Sequence, residues 1–295
     1  MAKQMYFGNL THSQWVPCPA TGMNRSAEGY SDEIRLNNGG LWIERSSASH
    51  AVYDMQFPVQ DSSIYEGIEA FARFAAGQYG TGYLHFVDPM VQDQNLFTEV
   101  WASPGLSEYG HKAIYDTVPT YGATTTNSYN KPARKPTFAV TTATAAVPVG
   151  QNSVFTLLIP PTCTLSLGAS GTVTGDAVLR VQPINTDGTN GSVVDIIMTA
   201  DTAAPAFSST FSGTTFKAVK VYITRTSSSA STITPTAVWA QIVTTGVTPT
   251  ITRHLPGKGH SGLQFRGDVR AEEYVMSDRH LMGASITLAE IEPWA

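Results

Sequence analysis

Charge and cysteine are both scarce in this chain of 295 residues. Charged residues make up 14% of the sequence and the net charge is -5, whereas about 25% is typical of globular proteins. No run of lysine and arginine stands out, so we expect no nucleic-acid partner. The two cysteines, Cys18 and Cys163, are far apart and neither belongs to a CxxC pair. They therefore predict isolated thiols rather than a disulfide framework or a metal site.

Long apolar runs are missing as well. The longest is "VFTLLI" at 154–159, far short of the ~20 residues that a membrane-spanning helix needs. The opening residues "MAKQMYFGNL" contain no apolar core of the length that a signal peptide requires. We therefore expect no membrane insertion, and we expect the chain to fold in a cytoplasm.

Histidine and glutamate are absent from the middle of the chain, and this absence divides the sequence. All seven histidines lie outside 121–250, and no glutamate occurs between Glu108 and Glu272. We infer that residues 1–120 and 251–295 build one domain and that the Thr/Ser/Ala/Val-rich 121–250 form a second, inserted domain. A linear string of three parts is the alternative, but the C-terminal part is short for an independent fold.

Segments rich in Val, Ile and Thr predict strands throughout the middle domain, separated by breakers such as Pro160, Pro161 and Gly188. The predicted strands are 152–159, 177–184, 192–200, 216–226 and 236–243. Their number and spacing are typical of a β-sandwich or jelly roll. The proline-containing stretch 121–136 is predicted to be an exposed linker into this domain.

One helix is predicted in the flanking parts, near 62–76. Ser63 and Glu66 stand at capping-box spacing and Gly77 offers a C-terminal stop. One stripe of this helix is apolar: Ile64, Ile68, Phe71, Ala72 and Ala75. Because the remaining flanking segments have strand patterns, the predicted fold is mainly β, with two β-sandwich or jelly-roll-like units and the second inserted into the first.

The segment "GKGHSGLQF" at 257–265 is the most suggestive stretch for catalysis. It lacks the P-loop order, because no Ser or Thr follows Lys258, and it lacks the G-x-S-x-G spacing of a nucleophile elbow around Ser261. A serine triad could still form from scattered residues, with His254 or His260 as base and Asp268 as orienting acid. The simpler interpretation is a glycine-rich turn that allows close backbone approach before a strand.

The sequence patterns do not support a metal or cofactor site either. The histidines show no H-x-H or H-E-x-x-H spacing. The loop 185–195 offers oxygen ligands in an order that departs from the EF-hand, so a hairpin turn is the favoured interpretation. Its candidate ligands are Asn185, Asp187, Asn190 and Asp195. The adjacent Glu272 and Glu273 would point to opposite faces of a strand and do not form a catalytic pair. We expect no metal, no cofactor and no catalytic residue.

Two aromatic residues of the middle domain, Tyr222 and Trp239, are candidates for stacking on a sugar ring. Aromatic residues on strands more often fill a core. The sequence therefore leaves two interpretations open, a glycan platform and core packing.

Three stretches of the flanks are distinctive: "MYFGNLTHSQWVPCPATGM" at 5–23, "LNNGGLWIERSSASHAVYDMQF" at 36–57, and "LPGKGHSGLQFRG" at 255–267 with the closing "YVMSDRHLMGASITLAEIEPWA". In these stretches the chain resembles minor tail proteins of long-tailed phages that infect actinobacteria. The resemblance covers roughly the first 100 and the last 45 residues, and in such proteins similar ends bracket a more variable β-rich insert, as in distal tail proteins.

This resemblance implies a structural virion component of the tail tip that assembles in the host cytoplasm. Its expected partners are further copies of itself in a cyclic homo-oligomer and other tail proteins. Two alternatives remain open: an adhesin whose insert binds host cell-wall carbohydrate, and a cell-wall hydrolase acting through Ser261.

Overall fold

The computed structural model describes a chain built almost entirely of strands. The described residues are 4–19, 23–35, 41–61, 65–87, 94–98, 102, 120–126, 132–140, 154–196, 198, 206–226, 231–250, 257, 259–260, 262–267, 269–276 and 279–290. Their elements, in chain order, are β1 (Gln4–Gly8), β2 (Ser13–Pro17), β3 (Met23–Arg35), β4 (Leu41–Asp61), α1 (Tyr65–Ala75), β5 (His85–Val87), β6 (Thr120–Thr126), β7 (Pro132–Val140), β8 (Val154–Leu158), β9 (Cys163–Thr174), β10 (Ala177–Asn185), β11 (Val194–Ile196), β12 (Ser209–Ser212), β13 (Phe216–Arg225), β14 (Ser231–Thr244), β15 (Leu263–Phe265), β16 (Arg270–Met276) and β17 (Arg279–Glu290).

These strands form four antiparallel sheets, and the predicted mainly β class with one short helix is confirmed. Two sheets come from the flanking parts, in the orders β2-β1-β5 and β15-β17-β4-β3, with β16 also paired to β17. The other two come from the middle, in the orders β11-β10-β13-β8 and β12-β9-β14-β7-β6. We call the three-stranded sheet β2-β1-β5 the shared sheet.

The two flanking parts of the chain pair with each other. Strand β17 is hydrogen-bonded to β4 along Val52–Asp61, and Leu84 exchanges two backbone hydrogen bonds of 2.8 Å with Leu263. Each described strand between 120 and 244 pairs only with other strands of that range. The pairing is what an inserted middle domain requires, although the domain boundaries themselves stay a prediction.

Two hydrophobic cores flank the shared sheet. Met5 and Phe7 of β1 belong to the core formed with α1 and the sheet β15-β17-β4-β3. Tyr6, between them, belongs to the core of the middle sandwich. Because both faces of the shared sheet are buried, β1 carries the uninterrupted apolar run "MYF" instead of an alternating pattern. The flanking part and the middle part therefore share packing across this sheet.

The proposed linker 121–136 is mostly strand, and that prediction was wrong. Residues 120–126 form β6 and 132–140 form β7, and β7 joins the middle sandwich through pairs such as Ile233 with Phe138. Strands β9 and β12 were also not predicted. The other middle strands lie inside or close to their predicted ranges.

The predicted helix exists as α1, and Gly77 has a φ of 70° at its end, as a helix stop requires. The buried face differs from the predicted stripe. Ile68 and Phe71 are buried, but Ala75 is exposed and Phe74 is buried in its place. Both phenylalanines pack edge-on against Phe7, with ring centroids 5.0 and 5.2 Å away, which fixes the helix on the shared sheet. Ser63 and Ile64 lie outside the described residues.

Candidate functional site

The two proposed glycan-stacking residues are core residues, and the structure corrects that expectation. Tyr222 is 0% exposed and Trp239 is 1% exposed. The indole ring lies over Gly168 of the neighbouring strand, where a Cβ would come within 2.6 Å of its Cε2 atom. Neither ring presents a free face, so neither can stack on a sugar in this arrangement. Core packing, the other interpretation of these aromatics, is the one the geometry supports.

The glycine-rich stretch is a place of close backbone approach. Gly257 forms a parallel bridge with Asn95, and the amide of Gly259 donates a 3.0 Å hydrogen bond to the carbonyl of Phe97. A Cβ at position 259 would overlap the carbonyl oxygen of Leu96. Only glycine allows this contact between the C-terminal segment and 95–98. We call this contact the glycine seam.

Asn95 connects the glycine seam to the middle sandwich. Its side chain is fully buried, and its Nδ2 donates a 2.8 Å hydrogen bond to the carbonyl of Val238. Its Oδ1 accepts hydrogen bonds from the amides of Ala240 at 3.0 Å and Phe97 at 3.2 Å. Leu96 adds a backbone bond to the carbonyl of Ala240. The asparagine thus satisfies backbone groups on the edge of β14 opposite β9, at a point where no described strand pairs with that edge.

Segment 95–98 therefore lies between two parts of the chain that are far apart in sequence. On one side is β14 of the middle sandwich, and on the other is the C-terminal segment at Gly257 and Gly259. The sequence predicted the glycine turn but not its partner. No local pattern identified Asn95, because its hydrogen bonds to Val238 and Ala240 run to residues more than 140 positions away.

Two buried histidines stand beside the glycine seam. The rings of His85 on β5 and His260 are 6.0 Å apart between centroids and nearly parallel, at 19°. Nε2 of His260 lies 3.3 Å from both the amide nitrogen and the carbonyl oxygen of Phe86. Among the described residues, neither Nδ1 atom has a hydrogen-bond partner. Burial lowers the pKa of His85 to about 3, helped by the neighbouring His260, and lowers the pKa of His260 to about 4.

These environments bear on the candidate triad. His260 is 8% exposed, and its low pKa keeps it neutral and poorly basic. The other proposed members, Ser261, His254 and Asp268, together with Lys258, lie outside the described residues. The triad therefore stays a hypothesis that the described geometry does not assemble.

The proposed calcium loop forms a turn between β10 and β11. Asp187 Oδ1 accepts 2.8 and 2.6 Å hydrogen bonds from the amide and hydroxyl of Thr189, and Gly188 has a φ of 91°. Asp195 has a different role, since its carboxylate binds Arg180 in a bidentate pair of 2.6 and 2.9 Å. Within the described ranges, no group of three or more His, Cys, Asp or Glu residues could hold a metal ion.

Neither cysteine forms a disulfide; Cys18 is partly buried and Cys163 is buried. Burial raises the pKa of the Cys163 thiol, so it is a packing residue with little thiolate character. In the part of the chain that the structure describes, no helix is both long and apolar enough to span a membrane.

Comparison with known proteins adds no identification. No protein-family model matches the chain, and no curated protein sequence matches it. Among solved structures, the infectious bursal disease virus VP2 subviral particle is 11% identical, with a TM-score of 0.25 over 98% of this chain and 80% of that chain. The Gt strain of the same virus gives 12% identity and a TM-score of 0.26 over 98% and 78%.

A third structure, the CBM22-1-CBM22-2 tandem domain from Paenibacillus barcinonensis Xyn10C, is 9% identical, with a TM-score of 0.16 over 96% of this chain and 61% of that chain. All three TM-scores are far too low to carry an argument about function. The chain is thus defined by its own architecture, a mainly β protein with sandwich-like units.

Proposed function

We propose that this chain is a structural component of a virus particle, a minor tail protein of the tail tip of a long-tailed actinobacterial phage. It assembles in the host cytoplasm through protein–protein contacts into a cyclic homo-oligomer and binds neighbouring tail proteins. Its role is to supply a shaped and rigid body, and it needs no cofactor.

One observation carries this proposal: the segments that resemble tail proteins fold against each other. Residues 36–57 contribute β4, which pairs with β17 from the closing segment. Residues 5–23 contribute β1 and β2, whose core also holds Leu263 from the glycine-rich stretch. The resemblance therefore belongs to one packed body rather than to scattered pieces.

The architecture also supports a mechanical role. The shared sheet is buried between two cores, and the glycine seam ties 95–98 to both the sandwich and the C-terminal segment. Such continuous packing resists relative movement of the parts, which suits a subunit that must keep its shape under contact forces.

The test is the composition of purified phage particles. Quantitative mass spectrometry of particles encoding this chain is expected to find its peptides at a fixed ratio to the major tail protein. A chain that is abundant in the lysate but missing from purified particles would contradict the proposal. The adhesin alternative is tested by applying the full-length protein to a glycan array. Because Tyr222 is buried, glycan binding by an adhesin should be the same in Tyr222→Phe as in wild type.

A further inference from the structure

Among the described strands, β3 is the outermost of its sheet, and its second edge has no described strand beside it. It spans thirteen residues, Met23–Arg35, and among the described strands it pairs only with β4. Natural edge strands are usually protected by proline, by lysine or by shortness. The sequence of β3, "MNRSAEGYSDEIR", contains neither proline nor lysine.

Most of this edge belongs to a two-stranded ribbon. Strand β17 covers β4 only along Val52–Asp61, so 27–35 of β3 and 41–51 of β4 pair with each other and with no third described strand. Two-stranded ribbons are marginally stable in water, and a further strand is needed for independent stability. An additional strand along one of its edges would therefore stabilise this ribbon.

The charges of β3 fit a second copy of the same strand. If two copies pair antiparallel over their whole length, a two-fold axis passes at Gly29 and position 25 stands opposite position 33. In this register position 25, an arginine, stands opposite position 33, a glutamate, once on each side of the axis, while position 28 stands opposite position 30 and position 32 opposite position 26. No like charges oppose each other in this register, and opposite charges directly across a ladder stabilise the pair.

The backbone of β3 is compatible with such pairing. The irregularity between Gly29 and Ser31 places three positions of β4, 46–48, against the single position 30. The extra residues are thus on β4, and β3 keeps its two-residue alternation, so positions 25 and 33 share a face. Arg25 is exposed at this edge, with its guanidinium 5.5 Å from the centre of the Tyr53 ring.

We propose that β3 is a self-association edge that pairs antiparallel with β3 of a second copy of this chain about a two-fold axis. The pairing converts two two-stranded ribbons into one four-stranded sheet, ordered β4-β3-β3-β4. An isologous contact of this kind is what two-fold symmetry requires. The inference deepens the proposed self-assembly, on which it rests, by naming the surface and the register.

Sedimentation velocity of the full chain tests this inference through charge reversal. Wild-type protein is expected to form a dimer of twice 31.6 kDa. Arg25→Glu and Glu33→Arg each create two like-charged pairs and are expected to raise the dimer Kd about tenfold or more. An equimolar mixture of the two variants restores both opposite-charge pairs, so it is expected to dimerise as tightly as the wild type. Hydrogen exchange of 23–35 should slow as the dimer forms.

A matched control is Gln264→Arg, an exposed position on β15 at the opposite edge of the sheet, which should leave the dimer intact. If wild type and both charge variants associate equally, β3 is not the contact and the inference fails, while the proposed self-assembly stands. A wild-type chain that stays monomeric to about 100 µM overturns the inference as well. The particle composition then decides separately whether the proposed virion role survives.

Discussion

Acid is expected to unfold this protein through the buried pair His85 and His260. In the folded chain burial lowers the pKa of His85 to about 3 and that of His260 to about 4, whereas unfolded histidine titrates near 6.5. Because the folded pKa values are lowered, the stabilisation is complete above pH 6.5. It is lost as the pH falls, since the unfolded chain takes up protons that the folded chain does not.

The size of the effect follows from the width of this pH window. Each pH unit below 6.5 costs about 1.4 kcal/mol for every histidine that stays neutral in the folded state. At about pH 4.5 both histidines are still mostly neutral, so the free energy of unfolding falls by on the order of 5 kcal/mol. Folded proteins are stable by only about 5–15 kcal/mol, so this loss alone is comparable to the whole stability.

Urea unfolding followed by tryptophan fluorescence, repeated between pH 7.5 and 4.5, measures the effect. The informative variant is His260→Gln, whose amide nitrogen can take the place of Nε2 beside the backbone of Phe86. Compared with wild type, this variant should lose stability less steeply, by about 1.4 kcal/mol less per pH unit. His12→Gln, at a partly exposed histidine outside the pair, is the control and should keep the wild-type slope.

The comparison between variants removes the titration of the carboxylates, which all the proteins share. If His260→Gln and wild type lose stability in parallel down to about pH 4.5, the buried pair is not a source of acid sensitivity. The assignment of a neutral, desolvated histidine pair would then be wrong.

Three further substitutions, with Gly82→Ala as a control, test the glycine seam and the core. Asn95→Ala should lower the free energy of unfolding by about 3 kcal/mol, because it leaves buried backbone groups of β14 unsatisfied; a urea unfolding curve like that of wild type would refute this role. Gly259→Ala should cost more than about 2 kcal/mol in the same assay, since its Cβ would overlap the Leu96 carbonyl. Gly82→Ala, whose Cβ would lie 3.8 Å from its nearest neighbour, should stay within about 1 kcal/mol, and equal losses in both would contradict the close approach. Tyr222→Phe should leave the melting temperature unchanged or slightly raised, because the buried hydroxyl has no hydrogen-bond partner among the described residues; a large drop in calorimetry would show a missed contact.

Local pattern predicted the middle strands where branched residues dominate, but it missed β7 and β9, which carry prolines or glycines inside the strand. Strand β9 was missed because Gly168 and Gly171 suggest breaks. In the fold, Gly168 makes room for the indole of Trp239, and a Cβ at Gly171 would overlap the carbonyl oxygen of Thr234. The need for glycine at these two positions therefore comes from neighbours that are distant in sequence.

Strand β7 was missed for a related reason. Pro132 and Pro136 suggest a linker, but they lie where β7 pairs with β6 alone. Pairing with β14 is confined to Phe138–Val140, so at both prolines one side of the strand has no described partner and the missing amide hydrogen is tolerated. The sequence shows where the prolines are, but it does not show which edge of the strand lacks a partner.

The candidate site shows the same limit. The stretch 257–265 was predicted to be a turn with close backbone approach, and the glycine seam has that character. Its partner Asn95 and the pairing of His85 with His260 depend on the closed fold. No spacing in the sequence relates residues that are more than 140 positions apart.

The central claim is that this chain is a part of a phage tail, and antibody labelling tests it most directly. An antibody raised against the full chain and selected for binding within 154–196 is added to intact particles, which are then imaged by electron microscopy. The account predicts label at one end of the tail, the tip, with none on the capsid. Particles that carry no label, while the same antibody binds free protein from the infected cells, would contradict it.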